Sequence, residues 1–169
     1  MIDVLVIAGS HSDTLTMMYV RDMLDRLGVS NRCVVSSAHR TPKRTRQLAE
    51  GAEAGEYKAI ITIAGWAAAL GGVVSAYCWT LPIYAVAVES DNPRHNEAAM
   101  LSIVDLPEGT PIAFCGFGKA GAVHAALETA KIVGLFRPEV RGRLCKYRQE
   151  RTDSVLFEPD FTKVAMEKK

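Results

Sequence analysis

Net charge is almost missing from this chain: 20 Lys and Arg stand against 19 Asp and Glu, leaving a formal +1. Without a basic field, neither nucleic acid nor an anionic membrane surface is an expected partner. Long hydrophobic runs are missing too. The first apolar stretch has no positive segment before it and breaks at Gly9, so it reads as a buried strand, not a signal peptide or a membrane span. The four cysteines (Cys33, Cys78, Cys115, Cys145) form no C-x-x-C pair. That argues against a zinc site or disulfide framework and favours a reducing cytoplasm, with the thiols serving as small hydrophobes. The four histidines lack a metal-ligand spacing such as H-x-x-x-H, and no metal is expected. Internal repeats, low-complexity tracts and a G-x-S-x-G nucleophile elbow are also absent.

What is present suits one folded domain. The 169 residues are 49% hydrophobic and 23% charged, enough apolar material for one core. Five β-branched, apolar runs are expected as strands, at roughly Asp3–Ala8, Arg32–Ser36, Ala59–Ala64, Ile83–Val88 and Ile112–Cys115. Between them lie helical patterns. Met17, Val20, Met23, Leu24 and Leu27 fall at steps that line one helix face, and Gly28 ends it. Thr41-Pro42 opens a helix running through Lys43–Ala54, and Ala122–Val133 reads as another. Strands alternating with helices imply a parallel sheet covered on both faces, a three-layer α/β domain over residues 1–158. Residues 159–169 read as a mobile tail. Before that tail, Phe136, Val140, Leu144, Tyr147 and Arg151 form a stripe on a charged helix. The stripe either completes the second helical layer or packs across a neighbouring subunit, the latter through Phe136, Val140 and Leu144.

In open α/β sheets ligands bind beyond the carboxyl ends of the strands, so the residues following each strand carry the functional information. After the first comes Gly9-Ser10-His11-Ser12-Asp13, and after the second Ser36-Ser37-Ala38-His39-Arg40-Thr41-Pro42. The third is followed by Gly65-Trp66-Ala67-Ala68-Ala69-Leu70, the fifth by Gly116-Phe117-Gly118-Lys119-Ala120-Gly121. Small residues admit a ligand close to the backbone, helix starts favour anions, and Arg40 and Lys119 add cations. A small phosphorylated metabolite fits these loops. The G-x-G-x-x-G match at Gly116–Gly121 lacks the acidic strand end that a dinucleotide site needs, so it reads as a phosphate loop or a tight strand-to-helix turn. No cofactor is expected.

Among titratable groups His39 stands out, since imidazole changes charge nearest neutral pH and suits proton transfer. A hydrogen-bonded structural histidine in a turn is the alternative. His11 more simply solvates its loop, His95 reads as an exposed loop residue and His124 as a packing residue on an alanine-rich helix. Ser10, Ser12 and Ser37 make better phosphate or hydroxyl ligands than nucleophiles.

Taken in order, Gly-Ser-x-Ser-Asp, Ser-Ala-His-Arg-Thr-Pro, Leu-Ser-Ile-Val-Asp-Leu-Pro and Gly-Lys-Ala-Gly-Ala resemble the aminoimidazole-ribonucleotide carboxylase/mutase family, from the first strand to about Arg151. The resemblance implies a flavodoxin-like, Rossmann-like three-layer fold, a homo-octamer packed through its C-terminal helix, and an enzyme of purine biosynthesis without a cofactor. Its activity would move a carboxylate onto the ring carbon of aminoimidazole ribonucleotide. Either the carbamate nucleotide is rearranged by a mutase (an isomerase), or free carbon dioxide is added by a direct carboxylase (a lyase). The resemblance makes His39 the catalytic residue and places phosphate and ribose on Gly9, Ser10, Ser12, Asp13, Ser37 and Arg40. Ala38, Gly65, Trp66, Ala67 and Leu70, with Gly118 and Lys119 of the last loop, complete the expected substrate-binding set. The third loop departs from the family's Ala-Gly-Gly-Ala-Ala-His-Leu-Pro-Gly: Trp66 replaces a glycine, Ala69 the histidine and Gly71 the proline. That departure keeps two alternatives open, a carboxylase or decarboxylase acting on another heterocyclic nucleotide, and a non-catalytic nucleotide-binding paralogue.

Overall fold

A strand buried on both faces must be apolar at every position, and β1 (Val4–Ala8) is VLVIA, buried throughout. The computed structural model describes residues 2–55 and 57–157 of the chain, so the expected tail at 159–169 lies outside the described residues. Around β1 stand β2 (Asn31–Val35), β3 (Ala59–Ala64), β4 (Ile83–Ala87) and β5 (Ala113–Phe117), all parallel, in the order β2-β1-β3-β4-β5. This is the flavodoxin-like order. The three inner strands are the most buried, while β2 and β5 at the edges are half-covered.

Helices cover both faces, and the period of the strands sorts their side chains between them. Val4, Val6 and Ala8 share one core with Val20, Leu24 and Leu27 of α1 (Thr14–Leu27) and with Ala122, Ala125 and Ala126 of α5 (Gly118–Gly134). Leu5 and Ile7 point the other way, into a core with Ala49 and Ala52 of α2 (Pro42–Ala54) and Leu70 and Val74 of α3 (Leu70–Ser75). A third, smaller cluster joins β4 to Ala99 and Ile103 of α4 (Pro93–Val104). The expected helix ends are present: α1 stops at Gly28 in the left-handed conformation (φ 70°), and α2 starts on Pro42.

At the amino-terminal edge of the sheet an ion pair ties three distant segments together. Asp3, nearly buried, accepts hydrogen bonds through Oδ2 from the Ser30 hydroxyl (2.6 Å) and from Arg137 Nη1 (2.6 Å). The same guanidinium donates through Nη2 to the Gly28 carbonyl at 2.7 Å. The entry to β1, the α1–β2 turn and the α5–α6 turn are thereby locked at one point.

The late stripe belongs mainly to the protein's own core. On α6 (Pro138–Leu156), Val140 is fully buried, and Leu144 and Tyr147 pack against the α1–α5 layer. Val140 therefore has no surface left for a neighbouring subunit, which corrects the expectation that it joins an assembly contact. Phe136, in the turn before α6, does stay exposed. His124 also differs from its expected packing role, since it is exposed and sets Nδ1 3.3 Å from the Cys115 carbonyl.

The G-x-G-x-x-G segment is a tight turn from β5 into α5. Gly116 has φ 107°, and a Cβ on Gly121 would stand 2.4 Å from the Gly116 carbonyl oxygen. The backbones touch there because neither residue has a side chain. Gly121→Ala is expected to lower stability by about 1–3 kcal/mol, as overpacking does. Gly109→Ser, at a loop position with nothing within 4 Å of a Cβ but φ 87°, serves as a comparison for left-handed strain alone. Urea titration of both variants measures the difference, and an unchanged midpoint for Gly121→Ala would contradict the close approach.

Candidate functional site

Loops after β1, β2, β3 and β4 converge at the carboxyl edge around a cavity of about 550 Å³, within the range of small-molecule sites. Each loop is held by its own polar side chains. After β1, Ser10 caps a short 3-10 turn (His11–Asp13) and its carbonyl accepts the Asp13 N–H at 3.1 Å. The Ser12 hydroxyl donates to Asp13 Oδ1 at 3.0 Å, and Thr14 Oγ1 donates to the His11 carbonyl at 2.6 Å.

After β2 the hydroxyls do more. Ser37 N–H donates to Thr41 Oγ1 at 2.8 Å, Thr41 N–H donates to the Ser37 carbonyl at 3.0 Å, and Arg40 N–H reaches Ser37 Oγ at 3.1 Å. Below them the buried Ser36 hydroxyl meets Thr45 Oγ1 at 2.9 Å. With the ends of the turn fastened, Ala38, His39 and Arg40 form its projecting tip. His39 and Arg40 are exposed and both line the cavity.

The third loop adds Gly65, Trp66 and Ala67 to the lining, ending at Ala69 and Leu70 where α3 begins. Val88 N–H donates to the Ala64 carbonyl at 2.9 Å, binding this loop to the end of β4. The cavity thus brings together Gly9, Ser10, Ser12, Asp13, Ser37, Ala38, His39 and Arg40 with Gly65, Trp66, Ala67 and Leu70. Twelve of the fourteen expected site residues line it, leaving out Gly118 and Lys119.

The last loop lies apart. Lys119 sets Nζ 5.4 Å from the centre of the Tyr19 ring, a cation–π contact on α1. Gly118 packs against Glu89, whose Oε2 would stand 2.7 Å from a Cβ at that position. Gly118 therefore supports the cavity from behind, by admitting the Glu89 side chain that lines it. His11 does not line the cavity either, in keeping with the simpler reading of that residue.

Sequence reasoning missed Ala64, Ala69, Val88, Glu89 and Ser90 as lining residues. The loop after β4 has no glycine and no short motif. The same carboxyl-edge rule used for the other loops would have found it. His95 is also corrected: it sits half-buried in the first turn of α4, stacked on Trp66 with ring centres 4.0 Å apart. Among the described residues, no group of three or more His, Cys, Asp or Glu side chains is arranged to hold a metal ion.

Similarity to known proteins follows the same geometry. The family model described as AIR carboxylase matches residues 3–154. An N5-carboxyaminoimidazole ribonucleotide mutase from Brucella melitensis is 40% identical over 158 residues, covering 94% of this chain and 96% of that protein. A protein of the same name from Pseudomonas aeruginosa is 43% identical over 155 residues, covering 92% and 94%. Among solved structures, Treponema denticola PurE superposes with a TM-score of 0.81 at 25% identity, covering 90% of this chain and 93% of that one.

The electrostatics of the cavity centre on Asp13. Its burial raises the carboxyl above the ordinary 3.8, opposed by hydrogen bonds from Ser12 and the Ser10 backbone and by the charge of Arg40. The folded protein then holds this proton more tightly than the unfolded chain. Stability is lost as pH rises from 3.8 through the raised folded value, and stays level above it. Asp13→Asn removes the ionisation, so the variant is expected to melt above the parent at pH 7. A gain of 1 kcal/mol would raise the midpoint by about 2–4 °C. The gap should close as pH falls below 3.8, where the carboxyl is protonated in both the folded and the unfolded parent. Thermal melts across that window measure it, and a gap independent of pH would mean the buried charge is not its source.

Proposed function

From the premise that this chain belongs to the AIR carboxylase family, we propose that it is an N5-carboxyaminoimidazole ribonucleotide mutase of purine biosynthesis, acting through His39. The observation that carries the assignment of His39 is its place: an imidazole at the tip of a fastened turn, beside Arg40, facing a nucleotide-sized cavity. Arg40 supplies a fixed positive charge for the phosphate, and the hydroxyls of Ser10, Ser12 and Ser37 with the Asp13 carboxyl supply partners for phosphate and ribose.

The chemistry asks little more than one mobile proton held beside the substrate. As the carbamate C–N bond breaks, the exocyclic nitrogen takes a proton from the His39 imidazolium and carbon dioxide is left in the cavity. The electron-rich ring carbon attacks that carbon dioxide, forming the new C–C bond. His39, now neutral, removes the proton from the same ring carbon and restores aromaticity. One group gives and recovers one proton, so the rearrangement is balanced without an outside acid or base. Holding carbon dioxide against the ring replaces an encounter from solution, a large saving in entropy.

A direct carboxylase, in which carbon dioxide enters from solution, is the second reading. It is favoured by the third loop, where Trp66 and Ala69 replace the family's glycine and histidine. Action on a related heterocyclic nucleotide rests on the same two residues. The protein is further proposed to work in the cytoplasm as a homo-oligomer, an octamer by family resemblance. Among the described residues no helix is long and apolar enough to cross a membrane. Val155, Leu156 and Phe157 at the end of α6 are exposed and give assembly an apolar surface. Native mass spectrometry is expected to show eight copies, and a monomer would refute the assembly.

The reaction itself is tested by ultraviolet absorbance with product analysis. Parent protein is expected to convert the carbamate nucleotide faster than aminoimidazole ribonucleotide with bicarbonate. His39→Asn is expected to lower kcat by about a hundredfold or more, the scale of general acid–base catalysis, while still binding nucleotide. Preference for bicarbonate would select the direct carboxylase, and full turnover in the variant would remove His39 from its role.

A further inference from the structure

Trp66 is the one non-glycine residue with positive φ (57°) among the described residues. A bulky side chain in that region is strained, and such strain persists only where the surroundings enforce it. The indole is also 68% exposed although it lines the cavity. Ordinary burial therefore does not hold it.

The contact that does hold it is the His95 ring, stacked at 4.0 Å with an interplanar angle of 23°. His95 is fixed in turn by a network that leaves neither ring nitrogen idle. Asn92 caps α4, its Oδ1 accepting the Arg94 N–H at 3.1 Å, which leaves its Nδ2 facing His95 Nε2 at 3.4 Å. Nε2 is then an acceptor, so the neutral ring carries its proton on Nδ1 and donates to Ser90 Oγ at 3.3 Å. Ser90 is clamped at its backbone by Asn96, whose Oδ1 accepts the Ser90 N–H at 2.9 Å and whose Nδ2 donates to the Ser90 carbonyl at 2.8 Å. Both nitrogens serve to fix the plane of the ring, so His95 is built as a brace.

We propose that Trp66 is the platform on which the planar base of the nucleotide stacks, and that His95 is the positioning residue that holds the platform in place. The inference rests on the nucleotide chemistry proposed above and adds to it the residues that orient the ring. His95 stacks on the indole, and the high exposure of Trp66 in the cavity lining leaves it accessible to a planar ligand. Ala69, which also lines the cavity, carries only a methyl group and leaves room for that ligand. The ligand class is a flat, electron-rich heterocycle, for which a stacked ring gives orientation without demanding a particular hydrogen-bond pattern.

The chain has two tryptophans, so Trp79→Phe, at an exposed position outside the cavity, leaves Trp66 as the single indole reporter. In that background, aminoimidazole ribonucleotide is expected to change Trp66 emission saturably. His95→Ala should raise Kd and KM about fivefold to tenfold, the scale of one aromatic pair, with kcat within about twofold of the parent. His95→Phe, which restores a ring without its hydrogen bonds, should recover Kd to within about threefold, whereas His95→Gln should not. Circular dichroism establishes that each variant is folded. Trp66→Leu, which keeps bulk but removes the aromatic face, gives the same KM test if His95→Ala does not fold.

Unchanged Kd and KM in both His95→Ala and Trp66→Leu would overturn the platform. So would silent Trp66 emission while calorimetry records binding. The titration needs no turnover: a saturable Trp66 response in a protein inert toward both substrates would support the platform and refute the proposed reaction. Turnover with unchanged variants would refute the platform alone.

Discussion

Everything in this protein depends on the hydrogen-bonded ladder of five parallel strands. A parallel strand cannot return by a hairpin, so every connection crosses a face of the sheet and every strand points the same way. All carboxyl ends consequently meet at one edge, and the loops there are short because the helices begin at once. β1 and β3 are neighbours whose following helices, α1 and α3, cover opposite faces of the sheet. The crevice at that divergence is where His39 and Trp66 come to face one cavity. The two edges have separate duties. The amino-terminal edge holds the Asp3–Ser30–Arg137 cluster, which joins elements together, and the carboxyl edge holds groups left free for a ligand.

The rim combines rigidity with exposed chemistry by spending its small polar residues on the backbone. Ser36, Ser37, Thr41 and Thr45 bind the backbone of the β2–α2 turn, which leaves the side chains of His39 and Arg40 at its tip to face the cavity. The loop after β4 follows the same plan with Asn92 and Asn96. Asp13 is the costly member, a carboxylate kept in a buried place where its charge is disfavoured. Such a placement is common where function, not stability, decides the residue.

Much of the fold was legible because continuous apolar runs and helical spacing are local properties. The strands β1, β3 and β4, the helices α1 and α2, and the Gly28 stop could each be read from a window of a dozen residues. The loops after β1, β2 and β3 were equally open to reading once a parallel sheet was inferred. What escaped depends on contacts distant in sequence. Nothing near His95 announces that its ring will meet Trp66 from the preceding strand-to-helix loop. Periodicity showed the apolar stripe on α6, but could not say whether its partner was α5 of the same chain or another subunit. Val140 answers that by complete burial. Lys119 looked like a phosphate ligand from its glycine-rich setting, yet its ammonium lies over Tyr19, a partner no motif contains.

The cluster at the amino-terminal edge also sets an order of events during synthesis. Asp3 and Ser30 both leave the ribosome well before Arg137, allowing β1 and β2 to align early. Arg137 arrives 134 residues after Asp3, and until then the pairing of the Asp3 carboxylate is incomplete. A contact 134 residues apart in sequence is strongly non-local. β1 is thus also among the last strands to be secured, and a nascent chain that stops before the α5–α6 turn carries this strand with one end still unlatched.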